Sequence, residues 1–214
     1  MAAHSSPLRP AAERVPALST GLARWLPLAV LASSLAVYVR TLAPGVLGGD
    51  VGELQFVPHI LGLAHPTGTP LYLLLGKLWS LLPLGPSVAW RMNLLAAVAA
   101  SLALVVVWHT LARPLPGLLA ALSLAFAPTF WEQATMGDKY AFNALLVALV
   151  LFLAQRWAET GSPRALNVLA LSYGLGLAHH RSMVLLAPAL LGLAWWRVRP
   201  GLPALRSLTG RDAR

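Results

Sequence analysis

The sequence predicts an all-α, polytopic membrane protein with about six transmembrane helices and further interfacial helices in a long first outer loop. Of its 214 residues, 57% are hydrophobic and only 11% are charged. A soluble domain carries about 25% charged and about 45–50% apolar residues, so the excess apolar surface requires contact with lipid. The apolar residues also fall into separate runs flanked by basic residues, a pattern that orients helices in a bilayer.

Six apolar runs are predicted to span the membrane. Several are slightly shorter than the ~20 residues that cross a bilayer upright, and tryptophans at their ends favour the interface and would anchor them. The runs are Trp25–Thr41, Met92–Leu111, Leu115–Phe130, Tyr140–Trp157, Ala165–His179 and Met183–Trp196.

A seventh run, Leu71–Leu82, is predicted to be an interfacial helix and not a span. Lys77 lies at its centre, and Pro83 and Gly85 stop it. A lysine at the middle of the bilayer costs roughly 2.5–3.5 kcal/mol, whereas in the interface its amine can reach water.

The distribution of basic residues predicts that both termini are cytoplasmic. In the six-span arrangement, the lysines and arginines outside are Arg40, Lys77, Arg91, Lys139 and Arg181. The rest of the sixteen basic residues lie inside, as the positive-inside rule requires. Seven spans with an outside N-terminus is the closest rival, but that arrangement exports Arg9, Arg14 and Arg24.

The six-span arrangement divides the chain into three parts. Residues 1–24 are a polar tail that is predicted to be disordered, residues 25–197 form the membrane domain, and residues 198–214 form an Arg-rich cytoplasmic tail. The net charge of +9 flanks apolar runs, so we expect the lipid bilayer and not nucleic acid as its partner. The absence of cysteine excludes disulfides and cysteine-based chemistry.

The first outer loop, from Leu42 to about Trp90, contains two candidate catalytic residues, Asp50 and Glu53. Gly48 and Gly49 break the preceding span, and a helical pattern starts at Asp50. In the structural interpretation Asp50 is the N-cap of this helix and Glu53 completes a capping box. In the functional interpretation one of the two carboxylates is a general base just above the membrane. The two interpretations are compatible, because a cap leaves one carboxylate oxygen free.

His65 begins a turn of sequence HPTGTPLY in the same loop. The two prolines around Gly68 predict a rigid turn. Either this is an ordinary interfacial turn with a histidine at its edge, or the imidazole and hydroxyl groups contact a polar headgroup of the substrate.

The remaining candidates lie in the second outer loop and at the outer end of the fifth span. Asp138 is predicted to cap the fourth span, and Asn143 is predicted to find a partner on a neighbouring helix. His179, His180 and Arg181 follow Gly-x-Gly. They form either a phosphate site, in which arginine offers a bidentate fork, or a cationic end that stabilises the helix dipole.

Several of these segments resemble one known family. They are RTLAPGVLGGDVGELQFVPHILGLAHPTGTPLYLLLGKLWSLLP, SVAWRMNLLAAV, FWEQATMGDKYAFNALLVAL and YGLGLAHHRSMVLLAPALL. Together they are similar to the bacterial relatives of transmembrane protein 260, an O-mannosyltransferase group within the membrane glycosyltransferases of the C-type fold. The resemblance covers roughly Arg40 to Leu191.

The resemblance implies transfer of a sugar from a polyprenyl-phosphate carrier to an acceptor on the outer side. It implies that Asp50 is the base, with Glu53 beside it, and that Asp138 is the acidic residue of the second loop. The histidine–arginine motif of the family corresponds to His179, His180 and Arg181. Two positions depart from the family pattern: Thr69 stands where an aromatic residue is usual, and Lys139 where an apolar residue is usual.

The combined prediction is an inverting mannosyltransferase of the bacterial plasma membrane that uses a polyprenyl-phosphate sugar donor and a protein or glycan acceptor. A carboxylate would take the acceptor proton while cations stabilise the leaving phosphate. The alternatives are a transporter or flippase of a lipid-linked or small polar solute, and a non-catalytic membrane subunit. Apart from His109, the spans hold almost no ionisable residues, which disfavours ion-coupled transport. No residue is assigned to a cofactor or metal, and a divalent metal requirement is left open.

Overall fold

The computed structural model describes residues 20–66, 68–111 and 113–199, and within these ranges the chain is helical and contains no strand. The helices are α1 (Thr20–Ala23), α2 (Leu26–Arg40), α3 (Gly49–Ile60), α4 (Pro70–Ser80), α5 (Val88–Leu111), α6 (Pro114–Ala125), α7 (Pro128–Thr135), α8 (Lys139–Thr160), α9 (Pro163–His179) and α10 (Ala187–Val198), with a 3₁₀ segment at Arg181–Leu186. The predicted all-α class is confirmed. Residues 1–19 and 200–214, which hold most of the two predicted tails, lie outside the described residues.

Every predicted apolar run is largely helical, but the run Leu115–Phe130 is divided between α6 and α7, and the six-span count is not confirmed. Among the described residues, α5 and α8 are long and apolar enough to cross a membrane. α6 and α7 would add a third span if they are counted together, although they are bent by 69° at their junction. α2 is apolar but has only 15 residues, about 22 Å at 1.5 Å per residue, against a hydrocarbon core of about 30 Å.

α5 lies at the centre of the bundle and packs against α2, α3, α4, α6, α7 and α8. Its small side chains Ala96, Ala97 and Ala100 are fully buried in the core shared with α2 and α6. Small residues allow helix backbones to approach closely in apolar surroundings. Tyr38 of α2 completes this contact, because its hydroxyl donates to the carbonyl oxygen of Ala125 at 2.9 Å.

A bend separates α6 from α7. Ala127 has an extended backbone and Pro128 opens α7. Proline lacks the N–H that a continuing helix needs, so α6 ends before it. The bend directs α7 towards the first outer loop, where the backbone N–H of Ala43 donates to the carbonyl oxygen of Thr135 at 3.0 Å.

The segment predicted as the first outer loop contains two helices, α3 and α4, which pack on each other. The crossing is close, because a side chain at Gly76 would lie 2.7 Å from Pro58. Lys77 donates from Nζ to the carbonyl oxygen of His59 at 2.6 Å, and a cation at the C-terminal end of a helix is favourable. The two predicted loop helices are therefore present, and the central lysine joins α4 to α3.

Candidate active site

Asp50 lies in the first turn of α3, but the predicted capping box is not formed. The N-cap is Gly48, which has no side chain that could form a cap hydrogen bond. Gly49 has φ 62°, a conformation that favours glycine. The Asp50 side chain is 66% exposed, and Glu53 turns towards His65 instead of the helix start. The prediction that Asp50 is an N-cap is wrong because the two glycines already make the turn. Both carboxylates are thereby left for other contacts.

His65 lies between the two carboxylates of α3. One oxygen of Glu53 accepts the backbone N–H of His65 at 2.7 Å, and the other lies 2.5 Å from the ring Nδ1. The second ring nitrogen, Nε2, is 3.4 Å from Oδ2 of Asp50. The hydrogen bonds from the His65 ring and backbone hold the pKa of Glu53 below its usual range, so Glu53 is ionised at neutral pH.

The segment predicted as the second outer loop adds a buried ion pair. Asp138 is the N-cap of α8, as predicted, and its carboxylate accepts the backbone N–H of Lys139 at 2.6 Å. Lys139 is 7% exposed, and its Nζ lies 3.4 Å from Asp138 and 3.9 Å from Asp50. From the sequence, Lys139 was notable only as a departure from the family pattern. The structure makes it the cation that joins the acidic residues of the two loops.

The three residues of the histidine–arginine motif have different surroundings. His179 is 2% exposed, with its Nε2 3.0 Å from the carbonyl oxygen of Lys139 and its ring packed on Phe142. His180 is half-buried, and burial, followed by the charges of Lys139 and Arg181, lowers its pKa. His180 is therefore neutral at neutral pH. The phosphate site remains a prediction, and the cationic side chains beside His180 are Lys139 and Arg181.

These segments surround a polar cavity of about 230 Å³ at one end of the bundle. The residues that line it are Asp50, His65, Pro66, Thr69, Lys139, Tyr140, His180 and Arg181. Four of the predicted site residues thus line one cavity, while Glu53 and Asp138 contact lining residues and His179 is buried beside it. Thr69 and Lys139, the two departures from the family pattern, both belong to the lining.

Two buried amides that the sequence patterns did not predict bond to the two loops beside the cavity. The side chain of Gln55 accepts the backbone N–H of Leu47 at 2.8 Å and donates to Asn93 of α5 at 2.6 Å. Asn93 also accepts the backbone N–H of Gly137 at 2.7 Å and donates to the carbonyl oxygen of Ala43 at 2.8 Å. A single asparagine in the apolar sequence of α5 was the available signal, because such a residue needs partners.

Asp50, Glu53 and His65 also resemble a metal ligand set. Each offers one ligand atom, and these atoms lie within 4.8 Å of one another. Carboxylate oxygens and imidazole nitrogens can bind several divalent ions. In the observed arrangement, however, the two ring nitrogens face different carboxylates, so an ion would have to displace at least one of these contacts. A metal requirement therefore stays open.

The fold and the cavity define a helical, membrane-type protein whose polar site lies at one end of the bundle. The family described as "Protein O-mannosyl-transferase TMEM260 N-terminal domain" matches residues 50–200 of this chain. The chain therefore belongs to that family, and the family predicted from the sequence is confirmed. The matched region contains every residue that lines the cavity.

Two curated relatives show the extent of the similarity. The chain is 38% identical over 166 residues to protein O-mannosyl-transferase TMEM260 of Mus musculus. The aligned region covers 73% of this chain and 24% of the relative. It is 29% identical over 199 residues to the Dictyostelium discoideum protein of the same name. This aligned region covers 84% of this chain and 23% of the relative. The chain thus spans about a quarter of the length of these relatives. No solved structure matches it.

Proposed function

We propose that this chain carries the base and the donor-phosphate site of a membrane mannosyltransferase. The reaction moves mannose from a polyprenyl-phosphate carrier to a hydroxyl of a protein or glycan acceptor. The observation that carries this proposal is the cavity in which Asp50 lies with Lys139 and Arg181. The names of the two relatives, both protein O-mannosyl-transferases, support the choice of sugar and a protein acceptor.

Asp50 is the general base of the proposed reaction. Its carboxylate is largely exposed within the cavity, so an acceptor hydroxyl can reach it. The carboxylate takes the hydroxyl proton while the oxygen forms a bond to the anomeric carbon of the sugar. The bond from that carbon to the carrier phosphate breaks on the opposite face, which inverts the configuration.

Lys139 and Arg181 stabilise the phosphate as it leaves. Arginine can form two parallel hydrogen bonds to a phosphate, and lysine adds a compact charge. Such preorganised charges are most effective where negative charge develops in the transition state. Because Lys139 contacts Asp50 and Arg181 lines the same cavity, one small volume can serve both the base step and the departure of the phosphate.

Transport is less well supported than catalysis. In α5 and α8 the ionisable residues lie near the helix ends, with Arg91 and His109 in α5 and Lys139, Arg156 and Glu159 in α8. Transporters place such groups near the midplane of the membrane. The cavity at one end of the bundle is instead lined by Asp50, His65, Lys139, His180 and Arg181.

The decisive experiment is sugar transfer from mannosyl polyprenyl phosphate by wild type and Asp50→Asn. Asparagine keeps the size of the side chain but cannot accept the proton, so we expect turnover to fall about 10²- to 10⁴-fold. Because Asp50 makes no cap hydrogen bond and its side chain is 66% exposed, the melting temperature in detergent should change little. Glu132→Gln is the matched control, since Glu132 is exposed and does not line the cavity; it should retain full turnover.

Two outcomes would contradict the assignment in different ways. Near-normal turnover in Asp50→Asn together with loss in Glu53→Gln would transfer the role of base to Glu53. If the wild-type chain binds the donor but transfers no sugar, the chain is a non-catalytic membrane subunit.

We also propose that the cavity faces the non-cytoplasmic side. α5 and α8 begin at the cavity end, and α9 ends there, so Ser87 lies on the same side as Asp50. Reporter fusions at Ser87 and Arg214 should therefore report opposite sides of the membrane, with Arg214 cytoplasmic. The same side for both fusions would contradict the six-span arrangement.

A further inference from the structure

The ring of His65 bridges two carboxylates that lie one turn apart on α3. Its Nδ1 is 2.5 Å from Oε2 of Glu53, and its Nε2 is 3.4 Å from Oδ2 of Asp50. Glu53 also accepts the backbone N–H of His65, so the loop backbone and the ring are both fixed by one side chain. The ring is therefore oriented by Glu53 and presented to the proposed base.

The contact with Glu53 determines where the ring carries its proton. An ionised carboxylate can only accept hydrogen bonds, so Nδ1 must be the N–H that donates to Glu53. In the neutral ring Nε2 then has a free electron pair, and this atom faces Asp50 in the cavity. An imidazole oriented in this way can accept a proton from a neighbouring group.

We propose that His65 takes over the proton that Asp50 removes from the acceptor hydroxyl, and that Glu53 orients the ring for this step. This inference rests on the proposed function. In the transfer step the acceptor O–H bond breaks, its proton goes to Asp50, and the oxygen bonds to the anomeric carbon. The bond from that carbon to the phosphate oxygen breaks, and its electron pair leaves with the phosphate.

The proton then passes from Asp50 to Nε2 of His65. The resulting imidazolium is stabilised by the ionised carboxylate of Glu53, and Asp50 becomes a carboxylate again. His65 is 34% exposed through its side chain, so the proton can continue to solvent. The relay resets the base without any other reactant.

Charged groups of both signs surround the ring of His65. The carboxylates of Glu53 and Asp50 contact its two nitrogens. Lys139 of α8 contacts Asp50, and Arg181 and the neutral His180 face the same cavity from the 3₁₀ segment and its N-cap. In the proposed relay the imidazolium is a transient carrier, because its proton passes to solvent before the next turnover.

Glu53→Gln tests the relay with little change in shape. The glutamine amide can donate to Nδ1, which would move the ring proton to Nε2 and block acceptance from Asp50. We expect kcat for mannosyl transfer to fall about 10²-fold or more, with an unchanged KM for the donor lipid. His65→Gln should have a similar effect. The double variant Glu53→Gln/His65→Gln should be no slower than His65→Gln, because the two residues act as a unit.

His59→Gln is the matched control for these variants. His59 lies on α3 and its ring contacts the hydroxyl of Ser80 at 3.0 Å, but it does not line the cavity. It should retain the wild-type kcat. A raised KM with unchanged kcat in His65→Gln would show a headgroup contact and overturn the relay. Additive losses in the double variant would also overturn it.

A second measurement separates this inference from the proposed function. Nitrogen-15 NMR of the histidine rings, in detergent at alkaline pH, reports the tautomer whether or not sugar is transferred. We expect the Nδ1–H form of His65 in wild type and the Nε2–H form in Glu53→Gln, with His59 unchanged. Failure of transfer alone would contradict the proposed function, whereas the wrong tautomer, or no change in Glu53→Gln, would contradict the relay.

The same samples test the metal alternative. Addition of Mg²⁺, Mn²⁺ or Zn²⁺ after treatment with a chelator should alter neither the His65 ring signals nor kcat. Recovery of activity by one ion, together with a shift of the His65 signals, would show that Asp50, Glu53 and His65 bind that ion and would overturn the relay.

Discussion

Two polar clusters lie at the same end of the bundle, and they are built from different side chains. The amide cluster, Gln55 and Asn93, is neutral and at most 1% exposed, and it bonds mostly to backbone groups of the two outer loops. The cavity cluster contains the charged side chains of Asp50, Lys139 and Arg181 and is open to a ligand. The first cluster uses its hydrogen bonds to fix the loops, and the second retains atoms for chemistry. The buried amides bond to the loops that carry the cavity, but they do not line it.

Asn93→Leu should give the largest effect on stability. The substitution removes partners from Gln55, from the N–H of Gly137 and from the carbonyl of Ala43. Each buried polar group without a partner costs about 1–3 kcal/mol, so we expect a loss on the order of 3 kcal/mol. Thermal unfolding in detergent measures it. Sugar transfer should fall as well, because both outer loops lose their common support.

Asn143→Ala is the control for the amide cluster. Its amide makes one hydrogen bond, to the hydroxyl of Ser182 at 3.2 Å, and a single bond between membrane helices is worth about 0.6 kcal/mol on average. If Asn93→Leu is no more destabilising than Asn143→Ala, the amide cluster does not fix the loops.

Arg181 should affect donor binding and not stability. The side chain is exposed and lines the cavity. Arg181→Lys keeps the charge and loses the planar fork, whereas Arg181→Gln loses both. We expect donor-lipid affinity to fall about tenfold or more in Arg181→Gln and by a smaller factor in Arg181→Lys, in line with the ~1.5–3 kcal/mol of a charged hydrogen bond.

Arg164→Gln is the control for Arg181, because Arg164 is also exposed and lies at the other end of α9. It should leave affinity unchanged. Equal affinity in wild type and both Arg181 variants would leave Arg181 as an interfacial anchor, and the proposed reaction would lose one of its phosphate ligands.

The smallest effect is expected from protonation of His180. Burial and the neighbouring cations lower the pKa of His180 in the folded chain. The unfolded chain therefore binds a proton at His180 more readily than the folded chain does. Stability rises with pH wherever the unfolded state binds more protons, so the folded state loses stability as pH falls through about 6.5. The melting temperature of wild type should therefore fall more between about pH 7.5 and about pH 5.5 than the melting temperature of His180→Gln.

Glu53 does not interfere with this measurement. Its pKa is lowered in the folded chain, so its stabilising contribution is lost only in a more acidic range. His109→Gln, which changes an exposed histidine at the opposite end of α5, is the control. An identical acid response in wild type and His180→Gln would contradict the buried, neutral state of His180.

The helices could be predicted from the sequence because hydrophobicity and proline positions are local signals. Every apolar run is largely helical, Asp138 is the expected cap, and Asn143 has a partner on a neighbouring segment. The number of spans could not be derived in the same way. Whether a run is one straight helix depends on breaks such as that at Pro128, where α6 and α7 are bent by 69°, and hydrophobicity alone does not show such breaks.

The cavity could be predicted only in part. Asp50, His65, His180 and Arg181 were named from the sequence, and they do line one cavity. The capping box was wrong because local spacing cannot show that two glycines already form the turn. The roles of Lys139, Gln55 and Asn93 depend on contacts between segments far apart in the chain, which spacing does not contain.

The hydrogen bond from Tyr38 to the carbonyl of Ala125 bears on how the chain is assembled. The break between α6 and α7 removes intrahelical partners from the last carbonyls of α6, and a carbonyl without a partner is costly where water is absent. A hydroxyl from another helix, 87 residues earlier in the sequence, supplies the missing donor. α2 is synthesised first, so this donor is available when the broken segment leaves the ribosome. Tyr38→Phe should therefore reduce insertion of the α6–α7 segment, even though it removes only one oxygen atom.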